Sequence, residues 1–165
     1  MRTPRTLCKL QDELAAANLS AIPQWRETST LPYLTAIIRE ALRIHPAVGL
    51  PLERIVPEGG VTLCGHSFPA GTIVGCNPAV VHFDTDVYGS HYSVYEFWPE
   101  RWLEADVEER AAMDRCFLAF GAGTRTCIGK NISMLEICKV VPLLLMRFKV
   151  SVVEILKPYS ALTLM

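Results

Sequence analysis

Apolar residues recur at helical spacing in three parts of this chain and in short runs between them. Near the start, Leu7, Leu10 and Leu14 share one face of a helix expected over residues 6–17. Leu34, Ile37, Ile38, Ala41 and Leu42 follow an i, i+3, i+4, i+7, i+8 pattern, which predicts an amphipathic helix over 34–44, opened by Pro32. Glu40 and Arg43 lie three apart on its other face and can pair there. The third stretch, 130–147, is apolar but interrupted by Glu136, Lys139, Pro142 and Arg147, so it reads as a core helix and not a bilayer span. Between these, Val61-Thr-Leu-Cys and Thr72-Ile-Val-Gly-Cys flank a turn-rich stretch that includes Pro69-Ala-Gly71, which predicts a hairpin between the two runs. Residues 78–82 start a short helix, 20–31 form a polar loop, and 84–115 form a mostly irregular meander with an acidic helical patch around 104–110. The fold class is mainly α with small β hairpins, an α+β arrangement.

Composition narrows the function without naming it. The chain has 165 residues, is 50% hydrophobic and 20% charged, and carries a net charge of -1, so nothing in it attracts nucleic acid. By length it is one domain with enough chain to bury a core, and it shows no internal repeat or low-complexity tract. The cysteines Cys8, Cys64, Cys76, Cys116, Cys127 and Cys138 include no C-x-x-C pair, which argues against zinc. Five of them read as buried free thiols, and Cys127 reads as a ligand. No signal-peptide pattern argues for an oxidising compartment. His45, His66, His82 and His91 lack metal-ligand spacing; His45 ends a helix before Pro46 and the others sit in loops.

The chemistry concentrates in Phe120-Gly-Ala-Gly-Thr-Arg-Thr-Cys-Ile-Gly129. This run sets Cys127 in a glycine-rich loop leading directly into the 130–147 helix. A thiol there feels the partial positive charge of the helix N-terminus, which favours thiolate. Gly121, Gly123 and Gly129 remove side chains, so the backbone can bend tightly and lie close to a flat ligand. Arg125 can meet an anion at that ligand's edge. A thiolate beneath a planar, anionic cofactor describes the axial ligation of a haem iron.

The same run matches F-x-x-G-x-R-x-C-x-G at Phe120, Gly123, Arg125, Cys127 and Gly129, and so resembles the haem-binding loop of the cytochrome P-450 family. Glu40-Ala-Leu-Arg43 followed by Ile44-His45-Pro46 resembles the family's E-x-x-R helix, and Phe97-Trp-Pro-Glu-Arg101-Trp102 resembles its F-x-P-E-R-F/W segment. The resemblance implies that Glu40, Arg43 and Arg101 form a buried scaffold, where composition alone reads a solvated surface pair. It also implies that Arg54, in Leu52-Glu53-Arg54-Ile55-Val56, joins Arg125 in clamping the two haem propionates. Phe120, Gly121, Gly123 and Gly129 would cradle the cofactor, haem b (iron protoporphyrin IX), with Cys127 on the iron. Val48, Gly49 and Leu50 would pass over the substrate side of the haem. The two long motifs look most like fungal members such as the pisatin demethylase-like group.

The resemblance covers roughly residues 6–148, with 149–165 a divergent tail, and describes the C-terminal, proximal-haem part of the family's fold. The oxygen-activation helix with its A/G-G-x-D/E-T pattern and the W-x-x-x-R helix are not found in the sequence, and no catalytic residue is assigned. Two functions of different class follow. One is a haem-thiolate monooxygenase inserting one oxygen atom from O2 into a small hydrophobic molecule, by hydroxylation or dealkylation, in fungal secondary metabolism. Its electrons would come from a NADPH-dependent flavoprotein reductase docking near Cys127. The other is a non-catalytic truncated remnant or haem-binding fragment, with apolar helix surface turned to water. Full-length members sit at the endoplasmic reticulum membrane through an N-terminal anchor. That anchor is expected to be missing here, which would leave the chain cytoplasmic.

Overall fold

The computed structural model describes residues 4–149, so most of the tail set apart above lies outside the described residues. Helix α1 (Pro4–Ala16) buries Thr6, Leu10 and Leu14, while Leu7 is half-buried. The polar stretch that follows contains a short helix, α2 (Trp25–Thr28). Glu27 makes that turn possible by accepting from the Gln24 N–H at 2.6 Å and the Ser20 hydroxyl at 2.6 Å.

Helix α3 (Pro32–Ile44) has proline at its first turn and no side-chain cap of its own. Its free N–H groups are met from another helix: the Glu13 carboxylate accepts from Tyr33 N–H at 2.8 Å and from Leu34 N–H at 2.8 Å. This ties α1 to the start of α3, and a carboxylate at a helix N-terminus is also favoured by the dipole. One side of α3 packs Leu34 and Ile38 with Leu10, Leu14, Tyr33 and Cys138, a cluster built from α1, α3 and the last helix. The opposite side places Ala36 in a second cluster with Tyr88, Val94, Trp102 and Met113. The periodicity predicts one buried face centred on Leu34 and Leu42. The helix is instead buried on both sides, because the aromatic meander covers the face that carries Glu40 and Arg43.

Strand pairing departs from the expected hairpin. Strand β2 (Val61–Leu63) pairs with β3 (His66–Phe68), not with the run that begins at Thr72. Cys64 (φ 49) and Gly65 (φ 80) form the two-residue turn, and two successive positive φ values suit the twist of a tight hairpin. Strand β4 (Ile73–Cys76) pairs with β1 (Leu52–Ile55), placing Arg54 opposite Val74. Gly75 is required at this pairing, since a Cβ there would come within 2.9 Å of the Leu52 carbonyl oxygen.

Short helices α4 (Pro78–Val81) and α5 (Thr85–Tyr88) begin the meander, each with a side-chain cap, Asn77 and Asp84 respectively. Helix α6 (Arg101–Glu104) ends at the first residue of the acidic patch, and α7 (Val107–Cys116) carries most of the rest. The boundary falls there because Asp106 accepts from Glu108 N–H and Glu109 N–H, each at 2.8 Å, and so starts a new helix. Glu100, just before α6, binds Lys9 of α1 at 2.6 Å and the Tyr33 hydroxyl at 3.1 Å. Burial would raise the Glu100 carboxyl, but Lys9, Tyr33 and Arg5 together hold it below its ordinary value. Burial and that carboxylate push the Tyr33 phenol up to about 12.

Helix α8 (Lys130–Arg147) spans the expected residues, with Cys138 and Pro142 turned inward. Ile132, Leu135, Val140 and Leu144 are exposed on it. Among the described residues no helix is long and apolar enough to cross a membrane. Of the cysteines expected to be buried, only Cys138 is, and Cys116 is half-buried. Cys8, Cys64 and Cys76 are exposed: Cys8 lies on the outer side of α1, Cys64 at the tip of a hairpin, and Cys76 at the end of a two-stranded sheet.

Candidate functional site

Two arrays of hydrogen bonds, joined by one histidine, make up the region singled out by the motifs. The first is centred on Glu40, whose side chain is fully buried. Its Oε1 accepts from Arg43 Nη2 at 2.8 Å, Arg101 Nε at 3.1 Å and the Trp98 backbone N–H at 3.0 Å. Its Oε2 accepts from Arg43 Nε and Trp102 Nε1, both at 2.9 Å. Arg43 therefore meets the carboxylate in a bidentate fork, the geometry guanidinium suits best.

One carboxylate cannot neutralise two guanidiniums, and backbone carbonyls meet the remainder. Arg43 Nη1 donates to the carbonyls of His82 and Val94, both at 2.8 Å. Arg101 donates to the Ser93 carbonyl at 2.9 Å and to that of Tyr88. These acceptors lie in the irregular meander, which explains how a segment poor in regular structure holds its shape. Glu40, Arg43 and Arg101 thus form one cluster between α3, α6 and the meander.

The second array is the cysteine loop. Gly121 (φ 69) and Gly123 (φ 67) adopt left-handed backbone, which glycine does without strain. Gly129 (φ -81) has ordinary helical backbone, so the expectation that it too is needed for a tight bend does not apply. A Cβ added there would lie 3.8 Å from Cys127 Sγ, which places the sulfur over the start of α8. The Phe120 carbonyl gathers the loop by accepting from Cys127 N–H at 2.7 Å and the Thr126 hydroxyl at 3.1 Å. Phe120 itself is half-buried, whereas Cys127 is exposed. Helix α8 begins without a side-chain cap and without an acidic residue in its first turn. Its positive end therefore stays unneutralised beside Cys127.

Arg54 and Arg125 are both exposed and line one open cavity of ≈ 530 Å³ with Glu53, Ile55 and Ile73. On the other side of β1, a cavity of ≈ 590 Å³ is lined by Leu52, Arg54, Phe68, Val74, Leu118 and Ala122, among others. Val48, Gly49 and Leu50 are exposed and line neither cavity; Gly49 faces Ala79 instead, 3.7 Å from the position of an added Cβ.

His82 connects the arrays, and the sequence alone gives no sign of this. Expected in a loop, it follows α4 directly and is fully buried. Its Nδ1 lies 3.0 Å from the Arg43 carbonyl, and its Nε2 accepts from Leu118 N–H at 2.8 Å. Burial pulls the ring below its ordinary 6.5, and the Arg43 charge adds to the effect.

The sequence model of the family described as Cytochrome P-450 matches residues 1–163. The chain belongs to this family. The match runs past both ends of the stretch covered by the recognisable motifs. A cytochrome P-450 monooxygenase of Aspergillus terreus is 49% identical over 152 residues, covering 90% of this chain and 30% of that protein. The cytochrome P-450 monooxygenase cicH of Emericella nidulans is 44% identical over 158 residues, covering 93% of this chain and 31% of that protein. The cytochrome P-450 monooxygenase mpaDE of Penicillium roqueforti is 45% identical over 154 residues, covering 90% of this chain and 18% of that protein. The chain thus spans less than a third of the length of these relatives. Membership of the cytochrome P-450 family implies a haem cofactor.

The residues present suit such a group. Among the described residues, the Cys127 sulfur has no protein partner and is exposed beside an uncapped helix start, and two arginines face one cavity. No atom lies within 4 Å of an added Cβ at Gly123, so the loop leaves open space at that point.

Proposed function

We propose that this chain is the proximal, haem-holding part of a haem-thiolate monooxygenase acting on a small hydrophobic molecule, by hydroxylation or dealkylation. The observation that carries the reading is the exposed Cys127 sulfur at the unneutralised start of α8, beside a loop held open by Gly121 and Gly123. The thiolate is the form of cysteine that binds iron. When bound, haem b would supply the activation of dioxygen.

The chain's own residues hold and orient the cofactor. Cys127 would hold the iron. Arg54 and Arg125 bind the propionates by charge-assisted hydrogen bonds, with Arg54 already braced by its bond to the Glu53 carbonyl at 2.7 Å. Phe120 fixes the loop through its carbonyl and packs beside the ring, while Gly121, Gly123 and Gly129 keep the approach free of side chains. Glu40, Arg43 and Arg101 stabilise the scaffold beneath. Val48, Gly49 and Leu50 belong to the substrate side. Electrons come from a NADPH-dependent flavoprotein reductase, and the whole protein acts in fungal secondary metabolism at the endoplasmic reticulum membrane. The 165 residues form a single C-terminal region of that protein.

A second reading is that the chain on its own binds haem without turning over a substrate. The exposure of Ile132, Leu135, Val140 and Leu144 on α8 favours it, since helix surface of this kind is ordinarily covered. One experiment addresses the haem-thiolate reading and a second addresses turnover. The chain loaded with iron protoporphyrin IX is expected to give a thiolate-type spectrum for its carbon monoxide complex, and Cys127→Ser to lose it. Survival of that spectrum in the variant would overturn the ligand assignment. Substrate oxidation by the loaded chain with a reductase would overturn the second reading.

A further inference from the structure

We propose that His82 is the positioning residue of the Cys127 loop: as the Nδ1–H tautomer, its ring ties the backbone of Leu118 to that of Arg43. The tautomer follows from the partners. The Leu118 N–H can only donate, so Nε2 must accept from it at 2.8 Å. The Arg43 carbonyl can only accept, so Nδ1, 3.0 Å away, must carry the hydrogen. The plane of the ring is fixed as well. It stacks on Phe117 at 5.4 Å with an interplanar angle of 13°, and meets Tyr88 edge-on at 6.3 Å.

From Leu118 the connection runs onward through the backbone. The Leu118 carbonyl accepts from Gly121 N–H at 2.9 Å, which sets the first turn of the loop. Phe120, inside that turn, accepts from Cys127 N–H at 2.7 Å. At the other end, Arg43 is held by the Glu40 carboxylate and by the carbonyl of His82 itself. A rigid ring thus joins the charge cluster to the loop by two opposed hydrogen bonds, and the ring itself is fully buried, as is Arg43 at one end. The neutral ring is also the form that burial beside Arg43 favours.

Two substitutions separate the two bonds. His82→Asn keeps a donor at the place of Nδ1 and removes the acceptor for Leu118. His82→Gln carries its Oε1 at the reach of Nε2 and keeps that acceptor. Amide hydrogen exchange is measured on the haem-free full chain at Leu118, Gly121 and Cys127, with Leu14 in α1 as the remote reference. The Asn variant is expected to exchange about tenfold faster at the three loop amides than at Leu14, each rate relative to the unsubstituted chain, and the Gln variant, which keeps the bond to Leu118 and loses the one to Arg43, to fall between the two. Equal acceleration in both variants, or acceleration at Leu14 as large as in the loop, would overturn the proposal and leave His82 a packing residue.

A second readout rests on the haem-thiolate reading. In the loaded chain, the thiolate-type carbon monoxide spectrum should decay about tenfold faster in the Asn variant and persist in the Gln variant. The reverse order would overturn the positioning role. Absence of that spectrum from the unsubstituted chain would overturn the haem reading itself, and the exchange pattern would then decide the role of His82 alone.

Discussion

The Glu40 cluster and the Cys127 loop lie at the two ends of one hydrogen-bonded path and are built in opposite ways. Glu40 is fully buried and receives five donors, and every charge around it is met. Cys127 is exposed, is held through its backbone, and presents a sulfur with no protein partner among the described residues. Side-chain hydrogen bonds are concentrated at the buried cluster, and the proposed iron ligand sits on an exposed loop. The difference shows how a loop with few side-chain contacts can still be precise. It inherits its position from a cluster that cannot rearrange without stranding a buried charge.

The comparison is broken most directly at the buried end. Glu40→Ala leaves two guanidiniums without their carboxylate, and removing one partner of such a buried array costs roughly 3–5 kcal/mol. Chemical denaturation should show a loss of that size, or no folded baseline at all; a loss under about 1 kcal/mol, the range of surface pairs, would place the pair in solvent. At the exposed end the backbone is the sensitive element. Gly121→Ala forces a side chain into left-handed backbone at a cost of about 1–2 kcal/mol. Its new Cβ meets nothing closer than 3.6 Å, so the cost is conformational and not steric. Denaturation should therefore show a smaller loss than at Glu40.

Acid sharpens the contrast through the histidine between the two ends. Because burial holds His82 below 6.5 in the folded chain, the unfolded chain binds the proton first. The contribution is fully present above the unfolded value and is lost as pH falls from 6.5 toward the depressed folded value. Denaturation midpoints measured across that window should fall in the parent chain and fall less in His82→Gln. The smallest effect on stability is expected at the cofactor's edge. Arg54→Gln and Arg125→Gln change exposed side chains, so denaturation should move by no more than about 0.5 kcal/mol. Titration with iron protoporphyrin IX should nevertheless show about tenfold weaker binding for each, the loss of one charge-assisted contact.

What the sequence makes legible divides along a physical line. Helices α1, α3 and α8 follow from apolar spacing because the 3.6-residue period is local, and Pro32 marks the start of α3. The strand pairing is harder to read. The β2–β3 turn uses Cys64 at positive φ in place of the usual asparagine or aspartate, and β4 reaches back past that hairpin to β1. The charges on α3 are ambiguous in another way. An i, i+3 Glu–Arg pair reads the same on a surface as in a core, and only the covering meander distinguishes them. The cap on α3 comes from Glu13 on another helix, so no local signature exists for it. His82 is least legible of all. A single histidine with no spaced partner carries no pattern, and its role rests on two backbone groups distant from it in sequence.

The exposed end carries the functional claim, and the coordination of iron tests it most directly. X-ray absorption at the iron edge, on the chain loaded with iron protoporphyrin IX, reads the ligand atoms without need of a substrate or reductase. The account predicts one sulfur bound to iron beside the porphyrin nitrogens, and its loss in Cys127→Ser. Iron surrounded only by nitrogen and oxygen in the unsubstituted chain would contradict it.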